Sequence, residues 1–140
     1  MGRDVRPRIY NVNTESDVIN LVLGILDGII DKSNYEFIDI GEGQGFVTEK
    51  VKGYKLVKGY ELLNGTDFFS DPVSQKKSIY YMFNPFSESD TLKMNTHMAK
   101  AKGYLVYYDA QWSDVLDPLV FKEIFSRLIV GGWLKVYQIL

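Results

Sequence analysis

Phe37-Ile38-Asp39-Ile40-Gly41-Glu42-Gly43-Gln44-Gly45 decides the fold. An apolar run ends in an acid and opens into alternating glycines. Glycine lets a chain turn sharply and lets a ligand approach where a Cβ would collide. A strand followed by such a turn, with a helix after it, presents free backbone N–H groups at the helix start. Upstream, Tyr35–Ile40 reads as a buried strand; downstream, Phe46–Lys52 reads as a short helix stopped by Gly53.

Reading outward, Asn13 or Thr14 can cap a helix, with Asp17 three residues after Thr14. Apolar residues recur at Val18, Val22, Ile25 and Ile29, flanked by Ile19, Leu23, Leu26 and Ile30, which is helical spacing. Lys55–Leu63 is a second strand, and Asn64-Gly65 a turn. Thr66–Ser78 carries no clear period. Ser78–Phe83 is almost wholly apolar, as a central parallel strand should be, and Asn84-Pro85 breaks it. Ser87–Ala101 reads as a helix with Leu92, Met98 and Ala99 on its apolar side, and Tyr104–Tyr108 as another buried strand. The tail reads as a hairpin, Phe121–Val130 and Trp133–Ile139 around Gly131-Gly132, in preference to a helix over Val115–Ile129. Strand–helix alternation predicts an α/β fold with a mostly parallel sheet and helices on both faces. Such sheets bind ligands at the carboxyl ends of their strands.

Composition narrows the chemistry. The 140 residues predict a single domain with little room for a separate substrate-recognition module. Cysteine is absent, which excludes disulfides, thiolate nucleophiles and Cys-ligated metal. The single histidine, His97, argues against a Ser-His triad or a His-based zinc site; its polar neighbours predict a surface position. With 16 Lys+Arg against 18 Asp+Glu there is no strong nucleic-acid signature, although Lys50, Lys52, Lys55 and Lys58 form a local run. Val18–Ile30, the longest apolar-rich stretch, is broken by Asn20, Gly24, Asp27 and Gly28 and is too short to span a bilayer. The expectation is a soluble, cytoplasmic protein without a membrane partner.

Glu61 stands twenty residues after Gly41, at the end of the second strand, where a carboxylate can accept two hydrogen bonds from a ribose diol. The dinucleotide pattern G-x-G-x-x-G fails, because its third position counted from Gly41 is Phe46. The spacing present is D-x-G-x-G-x-G, and with it the chain resembles the class I S-adenosylmethionine methyltransferases. Two further stretches carry the resemblance. Ser78–Phe86 is similar to the family's fourth-strand motif, with Asn84-Pro85-Phe86 where amino-group methyltransferases often have Asn/Asp-Pro-Pro-aromatic. Gly65-Thr66-Asp67-Phe68-Phe69 resembles its third motif. The Tyr10–Leu26 segment resembles the helix preceding the core in small archaeal protein-lysine methyltransferases, where a Thr before the helix touches the cofactor; Thr14 is the match.

The resemblance covers about residues 10–140. It implies a Rossmann-like sheet with a C-terminal antiparallel hairpin, a small archaeal or viral-like minimal core, and S-adenosyl-L-methionine as cofactor. Only sixteen residues separate Glu61 from Ser78, so the family's third-strand region would be reduced. It implies cofactor contacts from Thr14, Asp39, Gly41, Gly43, Gly45, Glu61, Asp67 and Phe68, and acceptor positioning by Asn84, Pro85 and Phe86. The methyl acceptor is open, a protein or small molecule being favoured over nucleic acid, and a homodimer is compatible. Glu42, in a position where the family has a small residue, and the short segment support a second reading: a non-catalytic binding or scaffold protein of the same fold. Against each site stands an ordinary structural role. The glycines can form an empty turn, Glu61 can be an exposed strand-end acid, and Phe68, Tyr107, Tyr108 and Trp112 can be packing residues.

Overall fold

The computed structural model describes residues 15–41, 51–60, 67–83, 86–129 and 131–140. Its elements are α1 (Glu15–Asp27), β1 (Glu36–Ile40), β2 (Leu56–Tyr60), α2 (Asp67–Ser70), β3 (Lys77–Phe83), α3 (Glu88–His97), β4 (Lys102–Tyr108), β5 (Phe121–Ile129) and β6 (Gly132–Ile139). One six-stranded mixed sheet has the order β2-β1-β3-β4-β6-β5. The pairs from β2 to β4 are parallel, β6 runs antiparallel to β4, and β5 antiparallel to β6. The architecture is α/β with a C-terminal antiparallel hairpin.

Alternation along the strands splits the core into two faces. Phe37, Ile79, Tyr81 and Val106 pack with Val18, Ile19, Val22 and Leu26 of α1. Ile38, Ile40, Tyr80, Met82 and Leu105 pack on the opposite face with Phe68 of α2 and Met94 of α3. β3 lies between paired neighbours with both faces covered, which is why Ser78–Met82 is buried without interruption.

The structure redraws two helical faces. α1 ends at Asp27, so Ile29 falls in the following turn and is exposed rather than continuing the stripe. On α3 the buried positions are Thr91, Met94 and, just past the helix end, Met98, whereas Leu92 is 54% exposed and Ala99 is exposed. The spacing 91, 94, 98 makes one face, and Leu92 lies a third of a turn away from it. Thr91 can be buried because its hydroxyl donates to the Ser87 carbonyl at 2.8 Å. Ser87 caps the helix, its Oγ accepting from the Asp90 N–H at 3.3 Å. The expected helix over Phe46–Lys52 falls largely outside the described residues; Val51 and Lys52 are not helical. Asn13, the end of the second predicted strand at 61–63 and the Asn64-Gly65 turn also lie outside them.

In the tail the hairpin forms and the alternative helix does not; a single 3-10 turn, Ser113–Val115, precedes it. Asn95 ties that turn to α3, its Nδ2 donating to the Val115 carbonyl and its Oδ1 accepting from the Asp117 N–H, both at 2.8 Å. Asn95→Ala removes both bonds and should cost about 1–3 kcal/mol. Urea denaturation followed by circular dichroism checks this; a loss no larger than that of an exposed-site control such as Leu92→Ala would contradict it. β5 ends the sheet on this side and carries a bulge between Glu123 and Phe125.

Candidate functional site

The sheet order reverses direction between β1 and β3, which makes the carboxyl ends of these strands the natural ligand crevice. β1 brings Asp39 and Gly41 there. Asp39 is buried, on the α1 face. Gly41 has φ +87°, a conformation that disfavours any side chain, so the sequence's first glycine is required by the backbone itself. Its N–H donates to the Tyr60 carbonyl at 2.7 Å, which holds the end of β2 against the start of the glycine turn. Glu61 is the next residue in the chain after Tyr60.

Gly43, Gly45, Glu61, Thr14, Asn84 and Pro85 lie outside the described residues, as do Glu42 and the rest of the glycine turn. Asp67 begins α2. Phe68 is 3% exposed and is surrounded edge-on by Tyr60 (5.4 Å between ring centroids), Tyr80 (6.2 Å) and His97 (4.8 Å). Phe86 is buried in the same cluster, 5.0 Å from the ring of Phe69. The structure therefore brings Phe68 and Phe86 together beneath one face, and Asp39 and Gly41 together at the strand ends.

Two features of the crevice escaped the sequence reading. Phe83, at the end of β3, is 44% exposed and stacks on Tyr108 at the end of β4 with centroids 4.6 Å apart. Asp109, immediately after β4, has φ +53°. A large aromatic in the last place of an otherwise buried strand, next to Asn84, was the available signal for Phe83. Tyr107 and Tyr108 are core residues, as their packing reading expects.

His97 is not on the surface. It is half-buried at the end of α3, with its ring against Phe68 and Phe69 at 4.8 and 5.2 Å. Burial pushes its pKa below the ordinary value near 6.5, and a hydrogen bond to the Phe68 backbone opposes this only in part. Folded His97 is thus neutral at a pH where the unfolded chain already takes up the proton. Its contribution to stability is intact above about pH 6.5 and is lost as the pH falls below it. The thermal midpoint of the wild type should therefore drop relative to that of His97→Phe between about pH 7 and about pH 5.5. A wild-type-to-variant difference independent of pH would show that the ring is not held neutral.

Among the described residues no helix is long and apolar enough to cross a membrane. No family model matches the chain, and no curated protein matches it.

Proposed function

We propose that the chain is a minimal class I S-adenosylmethionine-dependent methyltransferase with a Rossmann-like core. The strand order carries this reading. A doubly wound sheet runs 3-2-1-4-5, and removing its third strand leaves 2-1-4-5. β2-β1-β3-β4 has that order, all parallel, and the reversed hairpin follows. Between β2 and β3 the described residues contain only the four-residue α2, in keeping with a reduced third-strand region.

Backbone geometry is compatible with the cofactor at its methionine end. Gly41 turns the chain away from β1 without a side chain in the crevice. Gly41, Gly43 and Gly45 would shape this pocket, with Asp39 satisfying N–H groups of the turn and Thr14 touching the cofactor from the segment before α1. Glu61 would hold the ribose. Asp67 would bind adenine; Phe68, 3% exposed and enclosed by Tyr60, Tyr80 and His97, would support the wall of that pocket from the core side rather than stack on the base. When bound, S-adenosyl-L-methionine supplies an electrophilic sulfonium methyl. Asn84, Pro85 and Phe86 would orient the acceptor so that its lone pair meets the methyl carbon in line. Such catalysis rests mainly on positioning. The exposed face of Phe83 offers the acceptor, a protein or small molecule, an apolar wall beside Asn84.

Isothermal calorimetry with S-adenosylmethionine tests the proposal. Saturable one-site binding is expected, with labelled-methyl transfer to a fraction of cell extract. Absence of binding at millimolar cofactor would remove the reading and favour a non-catalytic scaffold.

A further inference from the structure

An open hollow of about 150 Å³ lies at the amino ends of β3 and β4, with Tyr35, Lys77, Lys102, Tyr104 and Gln138 as its polar lining. Lys77 and Lys102 are the first residues of their strands, and Tyr35 directly precedes β1. The hollow is therefore at the opposite end of the sheet from the crevice at the carboxyl ends. We propose that it binds a phosphate dianion, free or as the phosphoryl group of a small ester. The proposal stands independently of the methyl-transfer reading.

The register of the sheet calls for an anion here. Lys77 of β3 and Lys102 of β4 are direct partners across the parallel ladder. Neighbouring strands lie about 4.8 Å apart, and like charges set opposite one another destabilise a sheet. A nearby carboxylate would relieve the pair, but the hollow has no Asp or Glu in its lining. Among the described residues neither lysine is in an ion pair. Glu36, next in the chain to Tyr35, lies 3.9 Å from Lys76 and lines the cavity on the other face of the sheet.

The neutral groups are donors too. Tyr35 and Tyr104 are half-buried, with ring centroids 6.3 Å apart. Burial and the neighbouring Tyr104 push the Tyr35 pKa up, so its hydroxyl keeps its proton. The Lys77 ammonium lies 5.9 Å from the centre of the Tyr35 ring, a cation–π contact that keeps it beside the hollow. Gln138, opposite Tyr104 on β6, adds an amide. Two ammoniums, two phenols and an amide make a wall rich in donors.

A phosphoryl group matches this wall in charge and in chemistry. It carries about −1.5 to −2 charges at neutral pH and three strong acceptor oxygens. One dianion offsets both lysines at once, whereas a monoanion such as chloride leaves the opposed pair net positive. A cation would meet two ammoniums and no carboxylate. Because Lys77 and Lys102 are exposed, water screens them and the affinity is modest.

Inorganic phosphate is the probe, titrated into the full chain by calorimetry against sodium chloride at matched ionic strength. Saturable one-site binding of phosphate is expected, and a thermal midpoint raised beyond that in chloride. A chain with both Lys77→Gln and Lys102→Gln should bind phosphate about tenfold more weakly or less tightly still, the scale of lost charged hydrogen bonds. Lys93→Gln, on α3 and paired with Asp90 at 3.1 Å, should leave the affinity unchanged. Phenyl phosphate distinguishes the sources: tighter binding than that of inorganic phosphate assigns a small ester, equal binding the free ion. No saturable phosphate binding in the wild type would overturn the proposal. So would an unchanged affinity in the double variant, which would place the ion elsewhere. An equal loss in Lys93→Gln would overturn it too, because the effect would then be one of net charge. If the double variant does not fold, the two single variants decide.

Discussion

A Gly103→Ala chain should lose at least about 4 kcal/mol of stability, a large share of the roughly 5–15 kcal/mol that holds a domain folded. Gly103 sits in β4 opposite Ser78 of β3 on one side and Ile139 of β6 on the other. Its φ is +123°, and a Cβ placed there would lie 1.9 Å from the Ser78 carbonyl oxygen and 2.9 Å from the Ser78 nitrogen. These are backbone atoms of a central strand that is hydrogen-bonded on both sides, so they cannot move aside without breaking the ladder. Backbone strain of about 1–3 kcal/mol adds to the overlap. Urea unfolding followed by far-ultraviolet circular dichroism measures the loss. A midpoint close to that of the wild type would show that β3 and β4 do not approach this closely.

Glu61→Ala should weaken S-adenosylmethionine binding about ten- to a hundredfold, the value of hydrogen bonds to a charged acceptor. The residue follows Tyr60, whose carbonyl is held by the Gly41 N–H. Binding through the ribose diol also predicts an intermediate affinity for Glu61→Gln, which keeps one acceptor oxygen. Calorimetry on the three chains reads the series. An unchanged affinity in Glu61→Ala would place the ribose elsewhere and remove the role drawn from the spacing between Gly41 and Glu61.

Much of the sheet was legible because its inner strands are apolar on both faces. Ser78–Phe83 and Tyr104–Tyr108 have no alternation to misread, and the two glycines at 131 and 132 separate β-prone runs. Helix faces were harder. Leu92 is the more hydrophobic side chain, yet Thr91 is the one buried, because it shares the face of Met94 and Met98 and its hydroxyl finds the Ser87 carbonyl. The burial of His97 is hidden in the sequence for a related reason. Its sequence neighbours are polar, and the rings that enclose it come from α2, a segment without a readable period. The glycine motif was legible as a motif. Gly41 stands at φ +87°, a backbone reason for glycine there, while the cofactor roles of all three glycines rest on the resemblance.

The bulge in β5 bears on how the molecule behaves at high concentration. A flat terminal strand is a template on which another chain can add, and stacked additions lead to fibrils. β5 interrupts that template between Glu123 and Phe125, where the register shifts. Lys122, Glu123, Ser126 and Arg127 are all exposed on the same strand, so an incoming chain would meet charge on both sides of the interruption. Among the described residues, then, the last strand of the sheet offers an incoming chain an interrupted template with exposed Ile124 at the interruption and charge on either side of it.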